Sequence, residues 1–481
     1  MSILKNYIYN TIYQIMLLIV PLITMPYLTR IFSPNQTGLN AYTSSIVTYF
    51  MLFGLLGIQM YGNRQIAYVR DSKEKLTETF WSLYLIQLTT TILSVVAYLL
   101  FSFIFIKEYR NIYLVQGLAL ISSVMDISWF FMGLEDFKKV SIRNMIVKLS
   151  GLIGIFLFVR TSEDLVLYIF INNLVSILGM LVMWRYVPKY VYNIKIDIKL
   201  MKKTLIPLLV LFLPQISSQV YTVLSRTLIG IFSTTDQVSF YDYSQKIVRI
   251  VLALITSVGT VLMPRVSNLN SNGKKEEINN FVSKAFIFIS YISVPMAFGL
   301  MGVSENLISW FLGKEYFEVG KLASISSIII IAVSWANIIG IQYLVATRQE
   351  NKYTLSVIIS SVLSILTNII VIPKLGALGA VISLIVAEFS GSIIQLILVR
   401  KQLKITNMLL STVKYIIAGL IMIMIIMPIG NIIENKVLAN LIQVIIGMII
   451  YIGIIAMTKD RVQNEMLKMV LSIINRRILR K

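Results

Sequence analysis

TLSVIISSVLSILTNIIVIP (residues 354–373) and ALGAVISLIVAEFSGSIIQLILV (377–399) are two apolar stretches separated by a short gap that contains Lys374. Each is long enough to cross a bilayer as a helix, which needs about 20 apolar residues. The gap that follows the pair, RKQLK (400–404), is strongly basic. Because charge is concentrated in the gaps, the pair predicts two antiparallel membrane helices joined by a tight turn.

The same alternation of apolar runs and short gaps continues along the whole chain and predicts about 14 membrane-spanning helices. An even number of spans places both termini on the same side of the membrane. The predicted spans cover residues 6–29, 37–61, 79–106, 111–133, 144–160, 164–187, 204–232, 240–264, 280–303, 320–346, 354–373, 377–399, 408–428 and 437–457. Aromatic residues at span ends are predicted to lie at the membrane surface: Tyr27, Trp81, Trp129, Trp184 and Trp310.

Basic residues are divided unequally between the two sets of gaps. The gaps on the side of the termini carry about 30 Lys and Arg residues, and the opposite gaps carry about 8. The richer set includes Lys138, Lys139 and Arg143, which follow the fourth predicted span. Since loops rich in Lys and Arg stay in the cytoplasm, we predict a multi-pass protein of the cell membrane with both termini cytoplasmic. We expect no cleaved signal peptide, because no small-residue cleavage site precedes the first span.

Composition excludes several classes of function. Of the 481 residues, 57% are hydrophobic and 14% are charged, whereas soluble proteins carry about 25% charged residues. The net charge of +21 is explained by gaps that face anionic lipid, and we expect no nucleic-acid partner. The absence of Cys and His excludes disulfides, thiol nucleophiles and imidazole or thiolate metal ligands. We expect no catalytic residue, no metal site and no cofactor.

The longest polar gap, residues 188–203, divides the chain into two parts. We predict an N-terminal lobe over residues 1–187, a cytoplasmic linker over 188–203, and a C-terminal lobe over 204–400. Residues 401–481 would then hold two further helices and a basic cytoplasmic tail. The predicted fold is an all-α polytopic membrane protein with two lobes of about six helices each, followed by those two C-terminal helices.

A short repeat supports this division. The tripeptide IFS occurs at residues 31–33, near the end of the first predicted span, and again at residues 231–233, near the end of the seventh. A similar polar turn and a Tyr-Ser helix start follow each copy. Because each lobe holds an even number of helices, both would begin on the cytoplasmic side. They are therefore predicted to be parallel repeats related by an axis along the membrane normal.

Several basic residues fall inside predicted spans, where a charge costs about 2.5–3.5 kcal/mol at the helix centre. Arg249 lies about 14 Å inside the eighth span, at 1.5 Å per residue, which is too deep to reach the headgroups easily. Arg226 lies inside the seventh span. We predict that these cations line an internal cavity that binds an anionic substrate, and the candidate residues are Arg226, Arg249, Lys246, Arg30 and Lys148.

The alternative is that these charges are structural. Lys246 would pair with Asp242 one helical turn away, and Lys148 and Lys414 would extend to the headgroups. Two carboxylates, Glu388 and Asp126, also fall inside predicted spans. A carboxylate there pairs with a cation, stays protonated or relays a proton, so Glu388, Asp126 and Asp242 are candidate charge partners or coupling residues.

Motifs distributed through both lobes resemble the polysaccharide-repeat-unit (Wzx-type) flippases, the polysaccharide transport family of the MOP (MATE-like) exporter superfamily. No single motif is specific, but together they cover most of the chain. The segments are KNYIYNTIYQI (5–15), PLITMPYLTRIFSP (21–34), YGNRQIAY (61–68), DISWFFMGLEDFKK (126–139), YTVLSRTLIG (221–230), VLMPRVS (261–267), NIIGIQYLVAT (337–347) and AVISLIVAEF (380–389).

The resemblance implies a two-lobed, V-shaped fold and a substrate of undecaprenyl-diphosphate-linked oligosaccharide. Such a substrate would be flipped outward for capsule or exopolysaccharide synthesis, with membrane lipids, a polysaccharide polymerase and glycosyltransferases as partners. Two positions depart from the family pattern. Ser225 stands where family members usually have an acidic residue, and Met132 stands where they usually have Gln.

Three other functions remain open from the sequence. A multidrug exporter of the same superfamily would handle organic cations and should place carboxylates, not Arg and Lys, in its cavity. A membrane-embedded polysaccharide polymerase usually displays a large outer loop, but the longest outer gap here is residues 304–319. An inactive scaffold in an assembly complex is the third alternative.

Overall fold

The computed structural model of the chain describes residues 3–192, 198–259 and 262–468, which form helices and turns with no β-strand. The prediction of an all-α protein is confirmed. Residues 193–197 of the predicted linker and residues 469–481 of the predicted basic tail lie outside the described residues.

Two compact units divide the chain, residues 1–239 and 240–481. The first contains the helices α1 (Ile3–Ile31), α2 (Pro34–Leu55), α3 (Ile58–Val69), α4 (Lys73–Ile104), α5 (Arg110–Gln116), α6 (Leu118–Val124), α7 (Ser128–Gly133), α8 (Phe137–Phe158), α9 (Leu165–Trp184) and α10 (Ile198–Phe232). Helix α11 (Thr235–Gly259) begins in this unit and continues into the second. The lobe boundaries given above stay a prediction.

The second unit is also built from helices. They are α12 (Leu262–Ser271), α13 (Lys275–Phe311), α14 (Phe317–Ser326), α15 (Ile329–Ala336), a π-helix (Asn337–Val345), α16 (Glu350–Leu375), α17 (Ala377–Val399), α18 (Ile405–Ile432) and α19 (Lys436–Met457). Helices α16 and α17 form the antiparallel pair that the apolar stretches at 354–399 predict, and Gly376 makes the turn between them with φ 55°.

Among the residues that the structure describes, fewer helices have the length and hydropathy of a membrane span than the sequence predicts. Eleven helical segments of the described chain are long and apolar enough to cross a membrane, or twelve if the bent pair of Lys314–Ser326 and Ile329–Val345 is one span. The count of about 14 is therefore not confirmed. Parts of α10 and α11 lie outside the residues whose side chains the structure describes, and within the described part of α10 only Val223–Phe232 registers as an apolar helix.

The break between α1 and α2 is set by the sequence around the first IFS tripeptide. Ser33 caps α2: its hydroxyl accepts from the backbone N–H of Gln36, and the side-chain oxygen of Gln36 accepts from the backbone N–H of Ser33 at 3.0 Å. Pro34 follows at the first helical position, where its missing N–H costs nothing. This capping box fixes where α2 begins.

Helix α2 packs against α10 and the first turn of α11 along a contact that we call the α2 seam, defined by Asn35, Thr37, Thr235 and Ser239. The hydroxyls of Thr37 and Ser239 lie 2.7 Å apart, and Asn35 donates to the Thr235 hydroxyl at 2.6 Å. Gly38 permits the close approach, since a Cβ there would lie 1.7 Å from the Thr235 carbonyl oxygen. The seam therefore joins the two helix starts that follow the IFS repeats.

An aromatic cluster forms part of the core of the first unit. Trp129 is 0% exposed and donates its indole N–H to Gln87 at 2.9 Å, and Phe80 and Phe130 pack near it. The prediction that Trp129 lies at the membrane surface is therefore wrong. The indole can be buried because its one polar group, the N–H, donates to a buried acceptor. It therefore needs no water molecule as a hydrogen-bond partner.

The C-terminal end of the described chain is attached to α18. Asp460, 3% exposed, forms an ion pair with Lys414 and accepts hydrogen bonds from the Tyr415 hydroxyl at 3.0 Å and the Gln463 backbone N–H at 2.9 Å. Burial alone would raise the pKa of Asp460, but these bonds outweigh it and hold the pKa of this carboxyl below its usual range. Lys414 thus pairs with Asp460, although we predicted that it extends to the headgroups.

Asp460→Asn should lower the midpoint of thermal unfolding of the purified protein. Asn keeps the bond from Tyr415 but leaves Lys414 without its carboxylate, a loss of about 1–3 kcal/mol. Because the folded-state pKa is lowered, this stability is present above the unfolded pKa of about 3.9 and is lost as the pH falls through the folded pKa. Melting curves of both proteins should therefore differ at pH 7 and converge once the pH falls below the folded pKa of Asp460.

The matched control is Glu465→Gln, which breaks the exposed pair with Arg461 at 3.0 Å. An exposed pair of this kind contributes about 0–1 kcal/mol, so the control should melt with wild type. Equal melting of Asp460→Asn and wild type at pH 7 would contradict the assignment of Asp460 as an anchor.

Candidate functional site

Helix α11 carries three of the charged residues that the sequence singles out. Asp242 is buried and pairs with Lys246 at 2.7 Å, and the Lys246 ammonium also lies 4.7 Å from the ring centroid of Tyr243. Arg249 lies one turn further on and is exposed. Asp242 and Lys246 therefore neutralise each other, whereas Arg249 forms no ion pair among the residues that the structure describes.

Arg249 lies near the middle of its helix, about 21 Å from Thr235 and about 15 Å from Gly259 at 1.5 Å per residue. Arg249 is exposed there and forms no ion pair among the described residues, so its guanidinium is open to water or to an anion. The position agrees with a cation that binds a ligand, and that role stays a prediction.

Arg226 and Arg30 belong to the first unit. Arg226 is half-buried on α10 and follows the buried Ser225, which stands where the family usually has an acid. Arg30 lies in the last turn of α1, is exposed, and donates to the Pro26 carbonyl at 2.5 Å. Lys148 is exposed on α8. The first unit therefore places these three cations on three different helices, and their role as substrate ligands stays a prediction.

Asp126 lies in a network of buried polar groups between α6 and α7. It accepts from the Gln59 amide at 2.7 Å and from the Ser128 backbone N–H at 2.8 Å. The Ser128 hydroxyl also donates to it, and Arg143 in turn donates to that hydroxyl at 2.8 Å. Asp126 is thus bonded inside the first unit, so its role as a coupling residue or partner of a cavity cation stays a prediction.

Arg143, which we predicted in a cytoplasmic gap between spans, lies inside a helix that is long and apolar enough to cross a membrane, and its position relative to the membrane stays a prediction. Helix α8 begins at Phe137, seven residues earlier than the predicted fifth span, and Arg143 is 7% exposed inside it. The signal was present, because the residues from Val140 onward are mostly apolar. Lys138 and Lys139 interrupt the apolar run, so the sequence predicts a start of the fifth span that is later than the start of α8.

Glu388 lies at the middle of α17 and is half-buried. The negative charge of Glu388 interacts electrostatically with the hydroxyl of Tyr353 on the neighbouring helix α16. Its role as a coupling residue or charge partner stays a prediction. Among the described residues, no group of three or more acidic side chains could hold a metal ion.

The second unit contains an apolar cavity of about 470 Å³ between α13, α18 and α19. Leu300, Met422, Ile426 and Ile452 are among the side chains that line it, and Gln443 is one of few polar groups. Gly299 and Gly447 leave room there because they carry no side chain. The cavity therefore suits a hydrocarbon ligand better than a sugar.

The described chain holds eleven or twelve helices that could cross a membrane, an Arg249 without an ion pair among the described residues, and an apolar cavity, which together define a polytopic membrane protein. The chain belongs to the family described as polysaccharide biosynthesis protein, whose sequence profile matches residues 3–270. A protein of Escherichia coli K12, provisionally named an O-antigen transporter, is 21% identical over 406 residues, covering 83% of this chain and 97% of that protein.

Two solved structures share the fold. Lipid II flippase MurJ in an inward closed conformation superposes with a TM-score of 0.75 at 20% identity, covering 95% of this chain and 99% of that one. An inward-facing multidrug resistance MATE family transporter of the MOP superfamily gives 0.59 at 12% identity, covering 81% and 95%. The sequence-based assignment to the Wzx-type flippases is confirmed by the family profile and by the O-antigen transporters among the relatives, and the two solved structures show that the fold is shared.

Proposed function

We propose that this protein moves undecaprenyl-diphosphate-linked oligosaccharide repeat units from the cytoplasmic to the outer leaflet of the cell membrane. The units would serve capsule or exopolysaccharide synthesis, between the glycosyltransferases that build them and the polymerase that joins them. Both chain termini would be cytoplasmic, as the basic gaps predict. Transport would proceed by alternating access, and no covalent bond would be made or broken.

The observation that carries this proposal is Arg249 near the middle of α11, which forms no ion pair with any residue that the structure describes. A diphosphate carries at least two negative charges, and a guanidinium can donate two parallel hydrogen bonds to it. The substrate would supply the negative charge that Arg249 lacks in the described chain. Arg226 would supply a second cation from α10.

The polyprenyl part of the substrate is apolar and needs no polar path. The cavity between α13, α18 and α19 offers apolar surface of matching chemistry. The sugar would instead follow the polar and cationic residues. A multidrug exporter that handles organic cations should have carboxylates where this chain has Arg249, so the positive charge of Arg249 favours the anionic substrate.

Deleting the gene from its host tests the proposed substrate. Surface polysaccharide should fall to background, and one lipid-linked oligosaccharide should accumulate on the cytoplasmic side. Thin-layer chromatography and mass spectrometry of extracted lipids would identify the accumulated lipid, and a plasmid copy of the gene should clear it. Accumulation of unlinked sugar, or unchanged lipids with normal surface polymer, would contradict the proposal.

A further inference from the structure

A π-helix, Asn337–Val345, continues α15 in the second unit. Ala336, the residue before it, has α-helical backbone angles, so the two elements form one uninterrupted helix. π-helices are rare, occur mostly as single turns within α-helices, and are frequent at functional sites. Nine consecutive residues in this conformation are therefore unusual. They belong to NIIGIQYLVAT (337–347), one of the segments that resemble the flippase family.

The π-helix sets the rotation of the residues that follow it. Its hydrogen bonds join residues five apart in place of four, so a π-turn holds one extra residue, which corresponds to about 100° of helix rotation. Tyr343, near the end of the π-helix, donates its hydroxyl to the side-chain oxygen of Gln402 at 2.8 Å. Gln402 lies in the gap between α17 and α18. If the same residues formed a continuous α-helix, Tyr343 would be turned away from Gln402.

Gln402 also forms a reciprocal amide pair with Gln349. The amide of Gln349 donates to Gln402 at 3.1 Å, and the amide of Gln402 donates to Gln349 at 2.9 Å. We call this contact the amide latch, defined by Tyr343, Gln349 and Gln402. Its hydrogen bonds join neutral groups, and each contributes little net free energy. The latch can therefore open and close without the separation of an ion pair.

Gly340 brings the π-helix close to α16 and α17. A Cβ at position 340 would lie 2.9 Å from both terminal amide atoms of Gln395 on α17, and 3.0 Å from Cδ2 of Tyr353 on α16. Gln395 is 3% exposed and donates to the Ser356 hydroxyl at 3.1 Å. The middle of the π-helix therefore packs against both neighbouring helices, at a position where only glycine fits without displacing Gln395.

Two buried amides of this region are incompletely bonded. The Oε1 atoms of Gln395 and of Gln342, which lies within the π-helix and is 4% exposed, have no hydrogen-bond partner in the described chain. A buried acceptor without a partner destabilises the conformation that contains it. Strain of this kind is concentrated at switch regions, where a second conformation relieves it. We therefore expect a second conformation of this helix that is close in free energy to the first.

We propose that this π-helix is a conformational switch, which converts to an α-helix during each transport cycle. On conversion, the residues beyond Gly340 turn by about 100° and the amide latch opens. The turn at Arg348 takes up the extra residue, and its φ of 59° is already outside the helical region. The role in transport rests on the proposed alternating access, whereas the two conformations are properties of the protein without substrate.

Deletion of Ile341 tests the switch. With one residue fewer, the segment forms a continuous α-helix while the residues on both sides keep their positions, so the latch stays closed and no extra residue is left to allow the rotation. The Ile341 side chain is 37% exposed, so little packing is lost. The variant should melt close to wild type. Its transport of an undecaprenyl-diphosphate-linked oligosaccharide in proteoliposomes should fall about tenfold or more, because only one conformation remains.

Deletion of Ile359 is the matched control. Ile359 is 36% exposed and lies inside α16, an α-helix without an extra residue. Its removal turns every later residue of α16 by about 100° and should lower the melting temperature well below that of the Ile341 deletion. The proposal is overturned if the two deletions melt alike, or if the Ile341 deletion transports as wild type does.

Spin labels measure the switch without substrate. The chain contains no native Cys, and Arg348 and Lys401 are exposed residues next to the two glutamines of the latch, so Arg348→Cys with Lys401→Cys gives one labelled pair. The EPR spectrum should contain two label separations in the otherwise wild-type chain, and only the shorter one after deletion of Ile341. Gln402→Ala removes the latch and should increase the population with the longer separation.

A single separation that Gln402→Ala leaves unchanged would refute the switch. This outcome is independent of the proposed function, because no lipid-linked sugar is present in the measurement. Two separations, together with a wild-type protein that does not transport the lipid-linked oligosaccharide, would support the switch and count against the proposed function alone.

Discussion

A disulfide across the α2 seam should stop transport completely, and a reducing agent should restore it. The hydroxyls of Thr37 and Ser239 lie 2.7 Å apart and both side chains are buried. Replacing both residues with Cys places two thiols where a bond of about 2.05 Å can form. If alternating access requires α2 to separate from the first turn of α11, a covalent bond prevents that step.

The chain offers a clean background for this experiment, because it contains no native Cys. Transport would be measured as movement of a lipid-linked oligosaccharide across proteoliposomes, before oxidation, after it, and after reduction. The reduced double variant is its own control for the two substitutions. Complete cross-linking, verified by mass, together with wild-type transport would show that the seam does not open during the cycle.

Arg249→Ala should reduce transport about ten- to hundredfold. A hydrogen bond to a charged group contributes about 1.5–3 kcal/mol, and 1.4 kcal/mol is a factor of ten. No acid pairs with Arg249 in the described chain, so its removal leaves no partner without a hydrogen bond and should not destabilise the fold. Insertion and melting temperature should stay those of wild type. Arg226→Ala should act in the same direction.

Two variants complete the series. Arg249→Lys keeps the charge but not the paired donors, and it should retain partial transport. Arg461→Ala removes an exposed arginine from the C-terminal segment and should leave transport unchanged. Normal surface polymer in both Arg226→Ala and Arg249→Ala would refute the cationic-cavity hypothesis.

The prediction of the fold depended on features that are local in sequence. An apolar run of about 20 residues must become a helix in lipid, since each backbone polar group has to be satisfied within its own segment. This is why the paired helices α16 and α17 were predicted nearly to their ends. Where charge interrupts an apolar run, as before Val140, the same reasoning places the helix start too late.

The candidate site was predictable only in part. Lys246 and Asp242 are one turn apart on one helix, so their alternative pairing could be predicted from spacing, and the structure contains that pair. Lys414 and Asp460 also form an ion pair, in which the side chains are 35% and 2% exposed respectively. These two residues are distant in sequence, and only packing brings them together. The cavity that Asp136, Lys139 and Tyr186 line at the start of α8 could not be predicted, because it forms only where α8 meets α9.

The sequence by itself determined that this protein is helical, crosses a membrane many times and belongs among repeat-unit flippases. Hydrophobicity, charge bias and motifs are properties of residues that are close together in the sequence. Tertiary structure alone decided that Arg143 is buried and that Trp129 lies in the core. It alone brought the helix starts after the two IFS tripeptides together in the α2 seam. The physical reason is that burial and hydrogen bonding depend on which helices pack together, and that packing depends on residues far apart in the chain.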